Sequence, residues 1–470
     1  MNRHFFVAVG AVLALAVFCF GCAKHETAQT VSGMTDDEIE NLVRRSYQYA
    51  AMYNVINKNA MVLAERTGTS AWNACVADTE LKDHTFQTIA RPNNDTLYTG
   101  CMLDLRAEPV IIEYPAFDSK YAVLETSAYD HYCEIPLSTT FGDFREPSTI
   151  LYYTARTQGY SGEPVEGVDR VMELSGDFAI AFLRVMPHAT EPERMERNIA
   201  TMQEVKAQSL SEYLGEAPVP AAPVDFPAVG TDLEIFGNNF LEVMQFVLDH
   251  TTFDADDEMD RQVLEAFKPL GLAPQTAIDA NAAATYDGQR SADAAGKVAA
   301  EVMAMVTSGE SVKMTEDLFK PKGEMSLEPM VLQSVTGPIG VPADQAVYVA
   351  MVTSDGEPMN ALNDYVIRMS AEELPPAEAF WSVTLYDLEN GFFIPNDRKK
   401  YSVGENAGMN LDKEGGIEIH IAAEQPAGVP DENWLPLNRG NYEIDAIMRI
   451  YAPDLERFAA WIAPTAEKIN

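Results

Sequence analysis

Positive charge is what this sequence has least of. Its 33 Lys and Arg stand against 72 Asp and Glu, a net charge of −39. Such a chain repels a phosphate backbone, which excludes nucleic acid as a partner. The acidity is spread along the chain and reads as a solvated surface. Cysteine is nearly as scarce, with five residues. Past the first 22 positions only Cys75, Cys101 and Cys133 remain, an odd number that allows at most one bridge. Cys101 and Cys133 lie in strand-like text and could pair across strands, or all three could be buried apolar thiols. No C-x-x-C occurs, so a redox motif is absent. The histidines form no i, i+4 pair and no H-E-x-x-H, so no metal is expected. No phosphate-binding loop and no G-x-G-x-x-G occurs, and Gly159-Tyr160-Ser161-Gly162 lacks the spacing of a nucleophile elbow. The acidic run 254–258 lacks the glycine of a calcium loop. No cofactor is expected.

Long apolar runs are absent as well, except at the start. Residues 5–21 form one behind Arg3 and His4, and it ends at Gly21 and Cys22. It is short for a membrane span of roughly 20 residues. The segment resembles a bacterial lipoprotein signal, with Cys22 as the lipidated residue and Cys19 where leucine is usual. The resemblance implies a protein of the cell envelope, held to the membrane through lipid on its periplasmic face. Ala23 in place of aspartate favours the outer membrane. Residues 1–22 are then signal and 23–34 a polar tether.

The body has an apolar fraction of 47%, enough for a substantial core. Thr35 and Glu38 make a capping box, and a helix is expected from there to Gly68. Residues 85–186 alternate as short strands separated by Pro, Gly and Asp, so residues 35–186 read as a leading helix plus a β-sandwich. At Pro187 the pattern changes. Thr190 and Glu193 suggest a second capping box, with helix to Leu214. Residues 217–227 are a proline-rich connector. Thr231 or Asp232 starts the next helix, in which Leu233, Phe236, Phe240, Val243 and Val247 recur at steps of three and four. Residues 187–318 are thus read as an all-α domain. From Phe319 to the end strands return, a second antiparallel sandwich over 319–470.

The segment Arg91-Pro-Asn-Asn-Asp-Thr-Leu-Tyr-Thr-Gly100 draws most attention. Asn93, Asn94 and Asp95 sit behind a proline and run straight into an alternating strand, with Tyr98 on one face. A carboxylate flanked by amides and a phenol either closes a turn or builds a pocket for a polar ligand. Trp381, Tyr386, Trp434 and Arg449 are the C-terminal counterpart. They could wall a sugar-like or organic-acid ligand, or fill a sandwich core with Arg449 tied to a buried acid. His131, near Tyr129 and Glu134, is the best histidine for proton transfer.

Two passages carry a family resemblance. One is Arg91-Pro-Asn-Asn-Asp-Thr-Leu-Tyr with Leu103-Asp-Leu-Arg-Ala-Glu-Pro-Val. The other is Phe380-Trp-Ser-Val-Thr-Leu-Tyr-Asp with Arg398-Lys-Lys-Tyr-Ser-Val-Gly, Asn433-Trp-Leu-Pro and Met448-Arg-Ile-Tyr-Ala-Pro. Together they resemble the paired domain-of-unknown-function families 1254 and 1214. The resemblance implies an immunoglobulin-like sandwich, a helical domain and a jelly-roll-like sandwich, and it implies no reaction. The expected function is binding of a small polar or amphipathic ligand between domains. A cofactor-free hydrolase or lyase with Asp95 or His131 as base is the alternative, and an envelope scaffold the second. The sequence leaves a homo-oligomer open.

Overall fold

The computed structural model describes residues 33–87 and 91–469; the expected signal segment, the expected lipidation position Cys22 and the expected tether, apart from residues 33 and 34, lie outside the described residues. Helix α1 (Asp36–Thr67) starts on the Thr35–Glu38 capping box and stops at Gly68, whose φ of 70° suits glycine. Among the described residues, nine strands follow in two sheets. Strands β1 (Ala74–Asp78), β2 (Leu97–Asp104), β4 (Ala122–Ala128), β5 (Glu134–Ser138) and β8 (Phe178–Val185) form one, in the order β1-β2-β8-β4-β5. Strands β3 (Val110–Tyr114), β6 (Ser148–Tyr153), β7 (Arg170–Glu173) and β9 (Lys206–Ser209) form the other, in the order β7-β6-β3-β9.

The alternation of β2 decides what each face does. Leu97, Cys101 and Leu103 point inward and pack with Ile112, Ile150 and Leu183 between the two sheets. Tyr98 and Met102 point to the opposite face. That face is also covered. The helical body packs on Met102, Phe178 and Ile180. The C-terminal sandwich packs on Val123, beside Tyr121 and Met186. Burial on both faces explains why β8 reads Phe-Ala-Ile-Ala-Phe-Leu-Arg-Val, with no polar alternation.

Two sequence expectations are corrected. Cys101 pairs with Cys75, not Cys133: the two stand directly opposite in the β1–β2 register, with Cα atoms 4.1 Å apart, and Cys133 is a buried free thiol. The helix expected over 190–214 ends early. Helix α2 (Pro192–Met202) begins after Glu191, which makes no side-chain cap bond, with Pro192 preset for the first helical position. The chain then pairs as β9 with β3 before the one-turn helix α3 (Leu210–Tyr213). Helix α1 packs on this sandwich, through Met102, Phe178 and Ile180, and on the later helices as well. Its residues Leu42, Tyr49, Tyr53 and Ile56 share one core with residues from the later helices.

Those helices are α4 (Asp232–Glu234), running into a π-turn, α5 (Phe240–His250), α6 (Glu258–Phe267), α7 (Ala280–Ala283), α8 (Gly288–Thr307) and α9 (Leu327–Thr336). No described helix is long and apolar enough to cross a membrane.

The C-terminal sandwich holds two four-stranded sheets. One contains β10 (Ala346–Ala350), β12 (Ala377–Asp387), β13 (Ser402–Gly404) and β16 (Ile444–Pro453), ordered β10-β16-β12-β13. The other contains β11 (Tyr365–Met369), β14 (Ile417–Ala422), β15 (Trp434–Pro436) and β17 (Ala466–Lys468), ordered β15-β14-β11-β17. Val347, Trp381, Val383, Leu385 and Met448 face Ile367 and Ile419 across the core. The outer face of the first sheet carries Tyr348, Ser382, Thr384, Tyr386, Arg449 and Tyr451, and it turns toward the N-terminal sandwich. The protein is a multidomain β + α fold in which a helical body and two sandwiches meet around one sheet.

Candidate functional site

The Asn-Asn-Asp turn lies across the outer face of the C-terminal sheet. The Asn93 side chain accepts from the Asp95 amide at 2.7 Å, a two-residue turn that short amide side chains form readily. This leaves the other polar atoms free to reach the second sandwich. Asn93 Nδ2 donates to the Tyr451 hydroxyl at 3.0 Å. Asn94 Oδ1 accepts from Ser402 at 3.1 Å. The Pro92 carbonyl accepts from Tyr386 at 2.6 Å. Arg91 adds an ion pair to Asp445 at 2.9 Å, and its backbone, at a φ of 52°, bonds Gly391.

Asp95 is fully buried. Its Oδ2 accepts from Ser382 at 2.5 Å and from Tyr451 at 2.9 Å, while Oδ1 makes no hydrogen bond. Ser382, Arg449 and Tyr348 stand opposite one another on three neighbouring strands. The Arg449 guanidinium lies 5.5 Å from the Tyr386 ring and 6.0 Å from the Tyr348 ring. One of its nitrogens donates to the Arg91 carbonyl at 3.2 Å; Nε and Nη1 have no partner. Burial holds the Asp95 carboxyl above its ordinary range, against the pull of Arg449 and the two hydroxyls. Arg449 keeps its proton: burial opposes the charge, and the Tyr386, Tyr451 and Asp95 oxygens outweigh it.

A second buried pair borders this cluster. Arg184, opposite Tyr98 in the β2–β8 register, donates to Glu125 at 2.7 Å. Its guanidinium lies 5.7 Å from the Tyr98 ring, which stacks on Phe182. Burial pushes Glu125 up to about 7 even beside Arg184. The Nε of Arg184 and the Tyr121 hydroxyl are also without partners. Sequence reasoning missed Glu125, Arg184, Tyr348, Ser382 and Tyr451. A charge inside an apolar strand was the available signal for Arg184, since a charge there requires a partner.

The other candidate residues lie elsewhere. Trp381 points into the C-terminal core, away from its neighbour Ser382. Trp434 is 8% exposed and donates its indole N–H to Ala422 at 2.9 Å, with Arg398 over the ring. Neither indole is brought to Asp95. A groove of about 360 Å³ is lined by Trp72, Asn73, Asp104, Arg106 and Phe226 among others, and none of the candidate residues reaches it. Among the described residues, no three His, Cys, Asp or Glu side chains group to hold a metal ion.

His131 sits at a φ of 64° in the turn after β4. Its Nδ1 meets Ser334 at 2.9 Å and its Nε2 the Pro338 carbonyl at 2.9 Å, both from the chain at and beyond α9. Burial holds its pKa down at about 4, below the ordinary 6.5. An imidazole held low contributes stability that is whole above pH 6.5 and lost as the pH falls toward 4. Urea unfolding at pH 7 and pH 5 is expected to show a loss of about 2 kcal/mol from this residue, missing in His131→Gln. An equal loss in both proteins rules out His131 as the source.

Residues 72–208 match the family Protein of unknown function (DUF1254), and residues 344–455 match Protein of unknown function (DUF1214). This chain carries the DUF1254–DUF1214 pair. Asp95 lies in the DUF1254 region, and Ser382, Arg449 and Tyr451 lie in the DUF1214 region, so the buried cluster is the seam between the two. No curated protein matches the chain. Among solved structures, it is similar to the VPA0106 protein from Vibrio parahaemolyticus, at 23% identity over 92% of this chain and 100% of that one, with a TM-score of 0.68. That likeness shows a shared fold. An uncharacterized protein from Burkholderia cenocepacia matches at 12% identity over 92% of this chain and 94% of that one, with a TM-score of 0.42.

Proposed function

We propose that this is a lipid-anchored envelope protein that binds a small organic acid in the seam between its two sandwiches, which we read as immunoglobulin-like and jelly-roll-like. The observation that carries the reading is the set of unpartnered atoms in the seam. Buried polar atoms are nearly always paired, so several orphans in one place call for a missing partner. Here the orphans are mostly donors: Nε and Nη1 of Arg449, Nε of Arg184, and the Tyr121 hydroxyl. The one carboxylate orphan, Asp95 Oδ1, is an acceptor. A hydroxylated carboxylate matches both kinds, its carboxylate on guanidinium and its hydroxyl on Asp95. Tyr348, opposite Arg449 on the neighbouring strand, is 38% exposed. The hydrolase or lyase reading needs Asp95 and His131 in one cleft, and the partners of the two are separate.

Isothermal titration with malate, lactate and citrate tests this. The expected result is binding of at least one acid, weakened at least about tenfold in Arg449→Lys, which keeps the charge and loses the fork. No heat from any of the three at millimolar concentration overturns the reading.

A further inference from the structure

A second buried polar cluster lies where the helical body meets the first sandwich. Tyr49 comes from α1, Asp130 and Tyr132 from the turn after β4, Asp257 and Asp260 from the start of α6, and Lys322 from the segment leading into α9. Tyr49, Asp130 and Asp260 are each 1% exposed and Tyr132 is 5% exposed. The Lys322 ammonium is 2.6 Å from Asp260 Oδ2, 3.7 Å from Asp130 Oδ2 and 3.0 Å from the Thr252 carbonyl. It also lies 5.5 Å from the centre of the Tyr132 ring. One ammonium therefore serves two buried carboxylates. Asp257 is already used, since its carboxylate caps the Asp260 amide at 2.9 Å.

Much of the cluster is unspent. Asp260 Oδ1 has no hydrogen bond, and neither oxygen of Asp130 has a well-formed one; burial holds the Asp130 carboxyl above its ordinary range, against the pull of Lys322 and Ser175. Independently of the acids, the buried hydroxyls of Tyr49 and Tyr132 have no partner either. Burial raises both phenols, and the charges of Asp130 and Asp260 add to it. Burial and this crowding push Asp260 up to about 6. With both carboxyls ionised, two carboxylates and one ammonium leave one negative charge and a set of oxygen acceptors. The missing partner has to bring N–H donors and a positive charge. The resident Lys322 ammonium, set between carboxylates and an aromatic face, shows that the surroundings suit such a group.

We propose that Asp130, Asp260, Tyr49 and Tyr132 form a binding site for a small ammonium-type cation, an amine or ammonium itself. The ligand sits beside Lys322 and enters along its side chain, which is 25% exposed. The carboxylates neutralise it and the two phenol oxygens accept its remaining N–H groups.

Thermal unfolding of the full chain tests the proposal, with chlorides of ammonium, methylammonium, putrescine or sodium at equal ionic strength. At least one nitrogen cation at about 50 mM is expected to raise Tm by about 3 °C more than sodium does. The rise should vanish in Asp130→Asn and Asp260→Asn and persist in Ser382→Ala, which separates this site from the seam. If the aspartate variants do not fold, Tyr49→Phe is read instead, and it should reduce the rise. Equal effects of sodium and every nitrogen cation overturn the proposal. So does a nitrogen-specific rise that survives both aspartate variants or, where those fail to fold, survives undiminished in Tyr49→Phe.

Discussion

Asp95→Ala is expected to destabilise the protein by about 3–5 kcal/mol, because removing one partner leaves the other charge buried and uncompensated. Arg449 is 3% exposed, and two of its nitrogens already lack partners. Asp95 is the carboxylate among its neighbours. The substitution also frees the Ser382 and Tyr451 hydroxyls, which now donate to Asp95. Tyr386→Phe is the control. It removes the bond to the Pro92 carbonyl and the hydroxyl beside Arg449 but leaves every carboxylate in place, and should cost about 1 kcal/mol. Urea unfolding of both variants checks the pair. A cost for Asp95→Ala no larger than that for Tyr386→Phe would mean that the carboxylate does not hold the seam.

The Glu125–Arg184 pair makes a sharper prediction, because its two halves are not equivalent. Both side chains are 4% exposed. Glu125→Ala strands a guanidinium that cannot shed its proton, at an expected cost of about 3–5 kcal/mol. Arg184→Met strands a carboxyl that burial has already pushed up to about 7. Without Arg184 that carboxyl takes a proton near neutral pH and becomes neutral, so its variant should cost about 2 kcal/mol less. The sign of its pH dependence follows. A carboxyl raised in the folded state binds protons that the unfolded chain does not, so lowering the pH from 8 to 5 stabilises Arg184→Met. Glu125→Ala has no such carboxyl. Urea midpoints across that range decide it, and equal costs with equal pH slopes would refute the asymmetry.

Several features were legible because they are local. The Thr35–Glu38 cap and Gly68 bound α1 where the sequence places it. The alternation after Thr96 is β2, and the strand-like runs of both β blocks are strands. The Asn93 turn forms through its own side chain, as its residue types require. Elsewhere the fold departs from the local pattern, each time for a physical reason. Thr190 cannot cap α2, since Glu191 precedes the helix and Pro192 begins it. Lys206–Ser209 has no strand character of its own and becomes β9 only because β3 offers an open edge. Cys75 and Cys101 are joined because β1 pairs with β2 in that register, and spacing alone does not specify a register.

The sequence by itself determined the local chemistry: where turns and caps fall, which strand faces are apolar, and that no phosphate or thiol motif is present. It also paired the two family regions through their motifs. Only the tertiary structure decided what the Asn-Asn-Asp turn meets. Asp95 and Ser382 are 287 residues apart and meet because both faces of one sheet are covered. Burial turns an ordinary carboxylate into a charge that needs Arg449 nearby. Desolvation and long-range approach are properties of the packed chain, and no window of sequence contains them.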